Sequence, residues 1–332
     1  MNDTPRPIAL RPIFKPKPWG GRSLARLFNK PLPPDEPIGE SWEVADLPGD
    51  ESLVRDGPFA GVSLHELMSR WGERLLGRVT PVNGRFPLLV KLLDAREALS
   101  VQVHPRPQSA LGDRTPGIKH EAWYVLAADH GAEILAGLND TIDAEWLKRQ
   151  ARSKRVADGL RRWPVAVGDC YYLPSGTLHA LGAGVVVAEV QTPSDVTYRL
   201  YDWGRVDATG RPRALHFDAA LANVRDDIRT EQILQPIAAC PDIPSARRVC
   251  TCERFTIDRA SLAAGAARRP APAEMQIMVL LSGATDVRFR DEGLRLRGGD
   301  CCIIPAECAS DTVIHAEPAS ELLLVRGGHL VL

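Results

Sequence analysis

The stretch Leu99-Ser100-Val101-Gln102-Val103-His104-Pro105 alternates apolar and polar residues. On a β-strand, residues two apart share a face. One face therefore carries a hydroxyl, an amide and an imidazole, while the other packs into a core. Heads at Gln102 and His104 can converge on a single point. Lys119-His120-Glu121 follows shortly after. Farther on, Gly168 precedes Pro174 by five intervening residues, and Gly176 and His179 complete the pattern Gly-x5-Pro-x-Gly-x2-His. That spacing describes a strand, a tight turn and a histidine directed into a barrel. Gln102, His104, Glu121 and His179 are the candidate ligands of one metal ion.

The chain has 332 residues and a formal charge of −1. This balance gives no bulk field for nucleic acid or an anionic membrane. A local basic pocket for an anionic substrate needs only a few residues. Twenty-seven glycines and 27 prolines favour a turn-rich, β-rich fold over a helical one. The seven cysteines lack the paired spacing of a zinc ribbon. No apolar run has the form of a signal peptide or the length of a membrane span. A reduced, cytoplasmic protein is the expectation.

Met1 to Pro18 reads as an extended leading segment, followed by Trp19-Gly20-Gly21. A strand is expected near Gly39–Ala45, where Glu40 and Glu43 could line a cleft. Leu64, Leu67, Met68, Trp71 and Leu75 form a helical face, with Ser63 as its N-cap, so residues 63–76 are read as helical. Phe86–Leu93 is an apolar run interrupted by Lys91, which must find a partner or line a pocket. Strands are expected over Lys119–Leu126, Ala132–Leu138, Val165–Pro174, Val185–Val190 and Tyr198–Tyr201. Acidic residues early and basic residues late predict one helix over Thr141–Leu160, reaching about residue 162. A short helix is expected over Asp218–Val224. Beyond residue 235 the ligand types thin out and short strands dominate. A boundary there divides residues 1–235 from 236–332. Gly299 and Pro305 repeat the Gly168 and Pro174 spacing, with Glu307 and Ser310 at the places of Gly176 and His179.

The second pattern resembles the second signature of the cupin, or double-stranded β-helix, superfamily. Leu99 to Pro105, Lys119 to Glu121, Gly176 to Gly182 and Glu189 to Arg199 are together similar to type I phosphomannose isomerases of the short bacterial form. Trp19-Gly20 adds to that likeness, which runs from about Trp19 to Arg205. The resemblance implies a mainly β fold of cupin barrels with a few peripheral helices. It also implies one zinc ion per chain on Gln102, His104, Glu121 and His179, an active-site Arg199, and a phosphosugar substrate. Lys119 shares a strand face with Glu121 and would also face the ion.

The residue types suit aldose–ketose isomerisation. A proton moves between C2 and C1 while charge develops on two adjacent oxygens, which a divalent metal with an open position can offset. Mixed N/O ligation suits zinc, but also cobalt, manganese or iron. Glu189 is the first candidate base and Glu43 the second. Arg199 can offer a phosphate a bidentate fork, with Lys91, Lys119 and Ser100 in support and Trp19 as a further substrate contact. Two other readings stand beside this one: an iron-dependent cupin oxygenase, and a non-catalytic sugar-binding barrel. A dinucleotide site is not expected, because no Gly-x-Gly-x-x-Gly follows a strand.

Overall fold

The computed structural model describes residues 3–107, 117–206, 209–240 and 245–328. Much of the Pro- and Gly-rich loop after His104 lies outside these residues. Every strand pairing that positions the site is antiparallel. One sheet of six strands runs in the order Cys170–Leu173, Glu121–Ala128, Val185–Gln191, Leu89–Ala95, Ile38–Val44, Ile13–Gly21. A sheet of five has the order Leu160–Pro164, Glu133–Leu138, His179–Leu181, Val101–Val103, Tyr198–Tyr201. The alternation that predicts the strands also divides their faces. Trp123, Leu93, Leu173 and Val187 pack in one apolar cluster, while Val90, Leu92, Tyr124 and Val190 pack in another on the opposite side of the sheet.

The later part of the chain repeats this arrangement. Seven strands form one sheet, in which Cys301–Ile304, Gln276–Ser282, Ser320–Gly327 and Phe255–Leu262 are neighbours. Ala267–Arg268, Thr312–Ala316, Ala284–Phe289 and Glu292–Arg297 form the facing sheet. Ile8–Ala9 crosses over to pair with Cys301–Ile304. A single apolar cluster runs from Phe86 and Trp71 to Phe255, Ile277 and Val325. Full burial of a large side chain such as Phe86 or Phe255 contributes roughly 1.5–3 kcal/mol each. The two halves are therefore fastened by core packing as well as by a strand.

Several expectations are corrected in detail. The helix over 63–76 is two helices, Leu64–Trp71 and Glu73–Leu76. Ser63 caps the first by accepting from Glu66 N. Gly72, at φ +48°, breaks the run in a backbone region that only glycine enters readily. The helix expected over Thr141–Leu160 stops at Gln150, and a 3-10 turn, Lys154–Gly159, precedes the strand Leu160–Pro164. Asp143 caps the helix and Ser153 caps the turn, each accepting a backbone N–H. A second capping side chain inside the charged run competes with helical hydrogen bonding. Ser310 does not stand where His179 does. It falls in the 3-10 turn Ala306–Asp311.

Candidate metal centre

Strands from both sheets deliver the donors. Gln102 lies mid-strand, and His179 faces it across the ladder. His104 follows one residue beyond the same strand as Gln102. Glu121 opens its strand in the facing sheet, opposite Leu173. His104, Glu121 and His179 are buried, and their donor atoms lie within 4.8 Å of one another. His104 Nε2 is 3.4 Å from Glu121 Oε1, and His179 Nε2 is 3.1 Å from the same oxygen.

The second nitrogen of each ring sets the protonation. His104 Nδ1 lies 2.8 Å from the Val196 carbonyl oxygen, and His179 Nδ1 lies 2.8 Å from that of Thr177. A carbonyl only accepts, so each Nδ1 carries a proton and each Nε2 is left directed toward the carboxylate. Burial draws the His179 pKa down to about 4, with Glu121 opposing it only in part. Two imidazole Nε2 atoms and a carboxylate oxygen thus face one another out of water, and Glu121 Oε1 has no hydrogen-bond donor. The Lys119 ammonium, 3.4 Å from His104 Nε2, reaches this set from one side. Imidazoles held through Nδ1 and a shared carboxylate fit a divalent metal.

Gln102 sits at the edge of the cluster. Its Nε2 is 3.4 Å from His179 Nε2, and Ser100 Oγ donates to its Oε1 at 3.0 Å. A side-chain amide can be turned over with little change in shape. The alternative orientation would aim Oε1 at the imidazoles.

From Glu121 a line of alternating charges crosses neighbouring strands. Lys119 Nζ is 2.5 Å from Glu121 Oε2 and 3.4 Å from Glu189 Oε1. Lys91 Nζ is 3.3 Å from Glu189 Oε1 and 3.6 Å from Glu40 Oε2. Lys17 Nζ ends the line, 3.1 Å from Glu40 Oε1. Trp123 Nε1 donates to Glu189 Oε2 at 3.0 Å, and Trp42 Nε1 to Glu40 Oε2 at 2.7 Å. Burial opposes the Lys119 charge, but Glu121 and Glu189 outweigh it and raise its pKa. Burial likewise opposes the Glu40 charge, yet Lys91, Lys17 and Trp42 together hold its pKa to about 2. Lys91 thus finds both the partners and the pocket that a lysine in an apolar run requires.

Glu40, Lys91, Lys119 and Glu189 line a cavity of about 130 Å³, with Trp19, Trp42, Ser100, Gln102 and Arg199 in its wall. Arg199 Nη1 donates to the Ala214 carbonyl at 3.4 Å, while its Nε is shut off from solvent without a hydrogen-bond partner among the described residues. Burial, then the neighbouring Arg213, lowers the Arg199 pKa. Glu43 is not brought here. It shares a strand face with Ser41 rather than with Glu40, and Lys30 and Ser41 both donate to its Oε1. Lys17, Asp195, Thr197 and Arg213 line the cavity as well, although motif reading passed over them. Lys17 alternates with Trp19, and Asp195 and Thr197 alternate with Arg199, so strand periodicity could have found three of them. Arg213 enters from a loop, fixed by a two-pronged pairing with Asp202 at 2.6 and 2.7 Å, and carries no local signal.

Comparison with known proteins agrees with this geometry. The profile of the phosphomannose isomerase type I catalytic domain matches residues 8–138. A mannose-6-phosphate isomerase of Streptococcus mutans is 35% identical over 304 residues, covering 90% of this chain and 92% of that protein. Mannose-6-phosphate isomerase ManA of Bacillus subtilis is 39% identical over 66% of this chain and 68% of its own length. The crystal structure of a Bacillus subtilis mannose 6-phosphate isomerase superposes with a TM-score of 0.83 at 33% identity, covering 97% of this chain and 99% of that one. The barrels, the buried donor set and this likeness over nearly the full length agree, and the chain belongs to the type I phosphomannose isomerase family.

Proposed function

We propose that the chain interconverts mannose 6-phosphate and fructose 6-phosphate. The observation that carries this reading is the buried cluster of two imidazoles and a carboxylate, whose neighbours Gln102 and Lys119 line a cavity together with Lys91, Arg199 and Arg213. His104, Glu121 and His179 would hold the metal, with Gln102 as fourth ligand and two imidazoles, a carboxylate and an amide leaving room for sugar oxygens. Zinc is the ion we assign, one per chain. Bound there, it would offset the negative charge that develops on the C1 and C2 oxygens.

The chain's own groups do the rest. Glu189 takes the C2 proton of the aldose and delivers it to C1. The carboxylate is held by Trp123 Nε1 on one oxygen and by Lys91 and Lys119 on the other. A positioned base of this kind contributes roughly 10²–10⁴-fold in rate. The Lys119 ammonium, anchored by Glu121 and Glu189, hydrogen-bonds the oxygen that gains charge. Arg199, assisted by Lys91 and Ser100, receives the phosphate. Trp19 offers a flat apolar wall to the sugar ring. Residues 1–235 would carry all of this chemistry, and 236–332 a cupin-like β domain without metal ligands. Seven free thiols support a reducing, cytoplasmic setting. Among the described residues, no helix is long and apolar enough to cross a membrane. Nucleic acid is not among the proposed partners.

The comparisons support the isomerase and do not favour the oxygenase that the sequence left open. Two histidines and one carboxylate are also the donor set of iron-dependent oxygenases. A coupled assay for fructose 6-phosphate made from mannose 6-phosphate, run beside an oxygen electrode, separates the two. Turnover without oxygen uptake supports the isomerase. Metal-replete protein with no turnover discards the substrate assignment.

A further inference from the structure

Arg213 lines the cavity, yet it belongs neither to the donor cluster nor to the line of charges. Its place is set by the chain that follows the strand Tyr198–Tyr201. Val206 pairs with Pro212 across a loop, and the returning segment runs back along that strand. His216 N donates to the Arg199 carbonyl oxygen at 2.7 Å, and Arg199 N donates to His216 Nδ1 at 3.1 Å. Arg199 Nη1 donates to the carbonyl of Ala214, the residue after Arg213, at 3.4 Å. Two guanidiniums therefore lie beside each other in the cavity wall, close enough for the Arg213 charge to work against that of Arg199.

Arg213 is held by one edge. Its Nε and Nη2 donate to the two oxygens of Asp202 at 2.7 and 2.6 Å. Arg205 donates to the same carboxylate at 3.2 Å, and Asp202 is buried. A buried carboxylate gripped by two guanidiniums is a rigid support. It fixes the plane of Arg213 and leaves Nη1 for another acceptor. Arg199 has donors to spare as well. Its Nε has no hydrogen-bond partner among the described residues, and no carboxylate there forms an ion pair with it. The lysines differ, because Lys17, Lys91 and Lys119 already stand against Glu40, Glu189 and Glu121. Asp195 lines the cavity too, but it is exposed and water screens its charge. Arg199 thus supplies an unmatched charge and Arg213 an unmatched, oriented donor.

We infer that Arg213, oriented by Asp202, is the outer arm of a clamp whose inner arm is Arg199, and that the two grip the phosphate group of the sugar. The inference rests on the phosphosugar reading of this cavity. Two guanidiniums side by side reach different oxygens of one tetrahedral group. Register and exposure set their order. Arg199 is opposite Gln102 and so stands beside the donor cluster, whereas the Arg213 side chain is 25% exposed and stands toward solvent. The phosphate end of the sugar then lies outward, and the carbons that exchange a proton lie inward, near Gln102 and Lys119. Arg213 is a binding residue in this arrangement, and Asp202 is a positioning residue that acts through it.

The test uses the full chain loaded with zinc. Arg213→Gln should raise KM for mannose 6-phosphate by roughly 10- to 100-fold, the loss expected for one charge-assisted contact. It should leave kcat nearly unchanged, because the phosphate takes no part in the chemical step. Arg213→Lys should recover part of the loss. Asp202→Asn should raise KM by a smaller factor and add nothing in the Arg213→Gln background. Thermal unfolding and metal analysis check that each variant is folded and loaded. If Arg213→Gln does not fold, the rise in KM is read from Arg213→Lys and Asp202→Asn. Wild-type turnover judges the phosphosugar reading by itself. If wild type turns over no mannose 6-phosphate, that reading fails, and isothermal titration with mannose 6-phosphate still judges the clamp. Weaker binding by Arg213→Gln than by wild type supports it, and equal binding or none overturns it. The inference is also overturned if the Arg213 substitutions leave KM unchanged, whether or not kcat falls, or if Asp202→Asn raises KM equally in both backgrounds.

Discussion

Glu40 gives the sharpest handle on the line of charges that ends at Glu121. Its side chain is 12% exposed, and Lys91, Lys17 and Trp42 overcome its burial to bring the pKa from 4.5 to about 2. Converted at about 1.4 kcal/mol per pH unit, that difference favours the folded, charged form by about 3 kcal/mol. The sign follows from the direction. A carboxylate whose folded pKa is depressed contributes fully above its unfolded value, here near 4.5, and the contribution is lost as pH falls through about 2. Glu40→Gln keeps the shape and an acceptor for Trp42 but removes the charge between Lys17 and Lys91. The variant should be less stable by up to about 3 kcal/mol at pH 7, and the gap to wild type should shrink by about 1 kcal/mol at pH 4. Urea unfolding at both pH values, followed by tryptophan fluorescence, measures it. A gap that is the same at pH 7 and pH 4 would refute the reasoning, because then the carboxylate charge is not what the lysines stabilise.

Other perturbations follow from the same geometry. His104→Ala and His179→Ala should each lose bound metal and turnover together, read by metal analysis and the coupled assay on one sample. Trp123→Phe deletes the N–H that holds Glu189 Oε2. It should lower stability by about 1.5–3 kcal/mol, the range for a hydrogen bond to a charged group, and lower kcat more than it changes KM. Gly20→Ala would place a Cβ 2.4 Å from Gly39 N. The strands must part to admit it, at a cost of roughly 1–3 kcal/mol in thermal unfolding.

The candidate site was legible because the residues proposed as ligands obey local rules. Gln102 and His104 sit two apart on one strand, and His179 follows a Pro-x-Gly turn, so spacing alone brings them inward. Lys91 announced itself as a lone charge in an apolar run. Glu43 misled because sequence does not say which face of Ile38–Val44 turns to the cavity. The Trp42 and Glu40 face does so, and Glu43 turns away to Lys30. Arg213 depends on a loop held by Asp202 and was invisible locally. The helix after Asp143 and the turn after Ser153 each had a cap in the sequence, but the charge gradient concealed the stop between them. The crossing of Ile8–Ala9 to Cys301–Ile304 is a pairing between distant residues, which no local pattern encodes.

The most direct test is turnover of mannose 6-phosphate measured against metal bound per chain, on protein stripped with a chelator and reloaded stepwise with zinc. Turnover should be absent in stripped protein, rise in proportion to occupancy and level off at one ion per chain. Full turnover by protein shown to be free of metal would contradict the account.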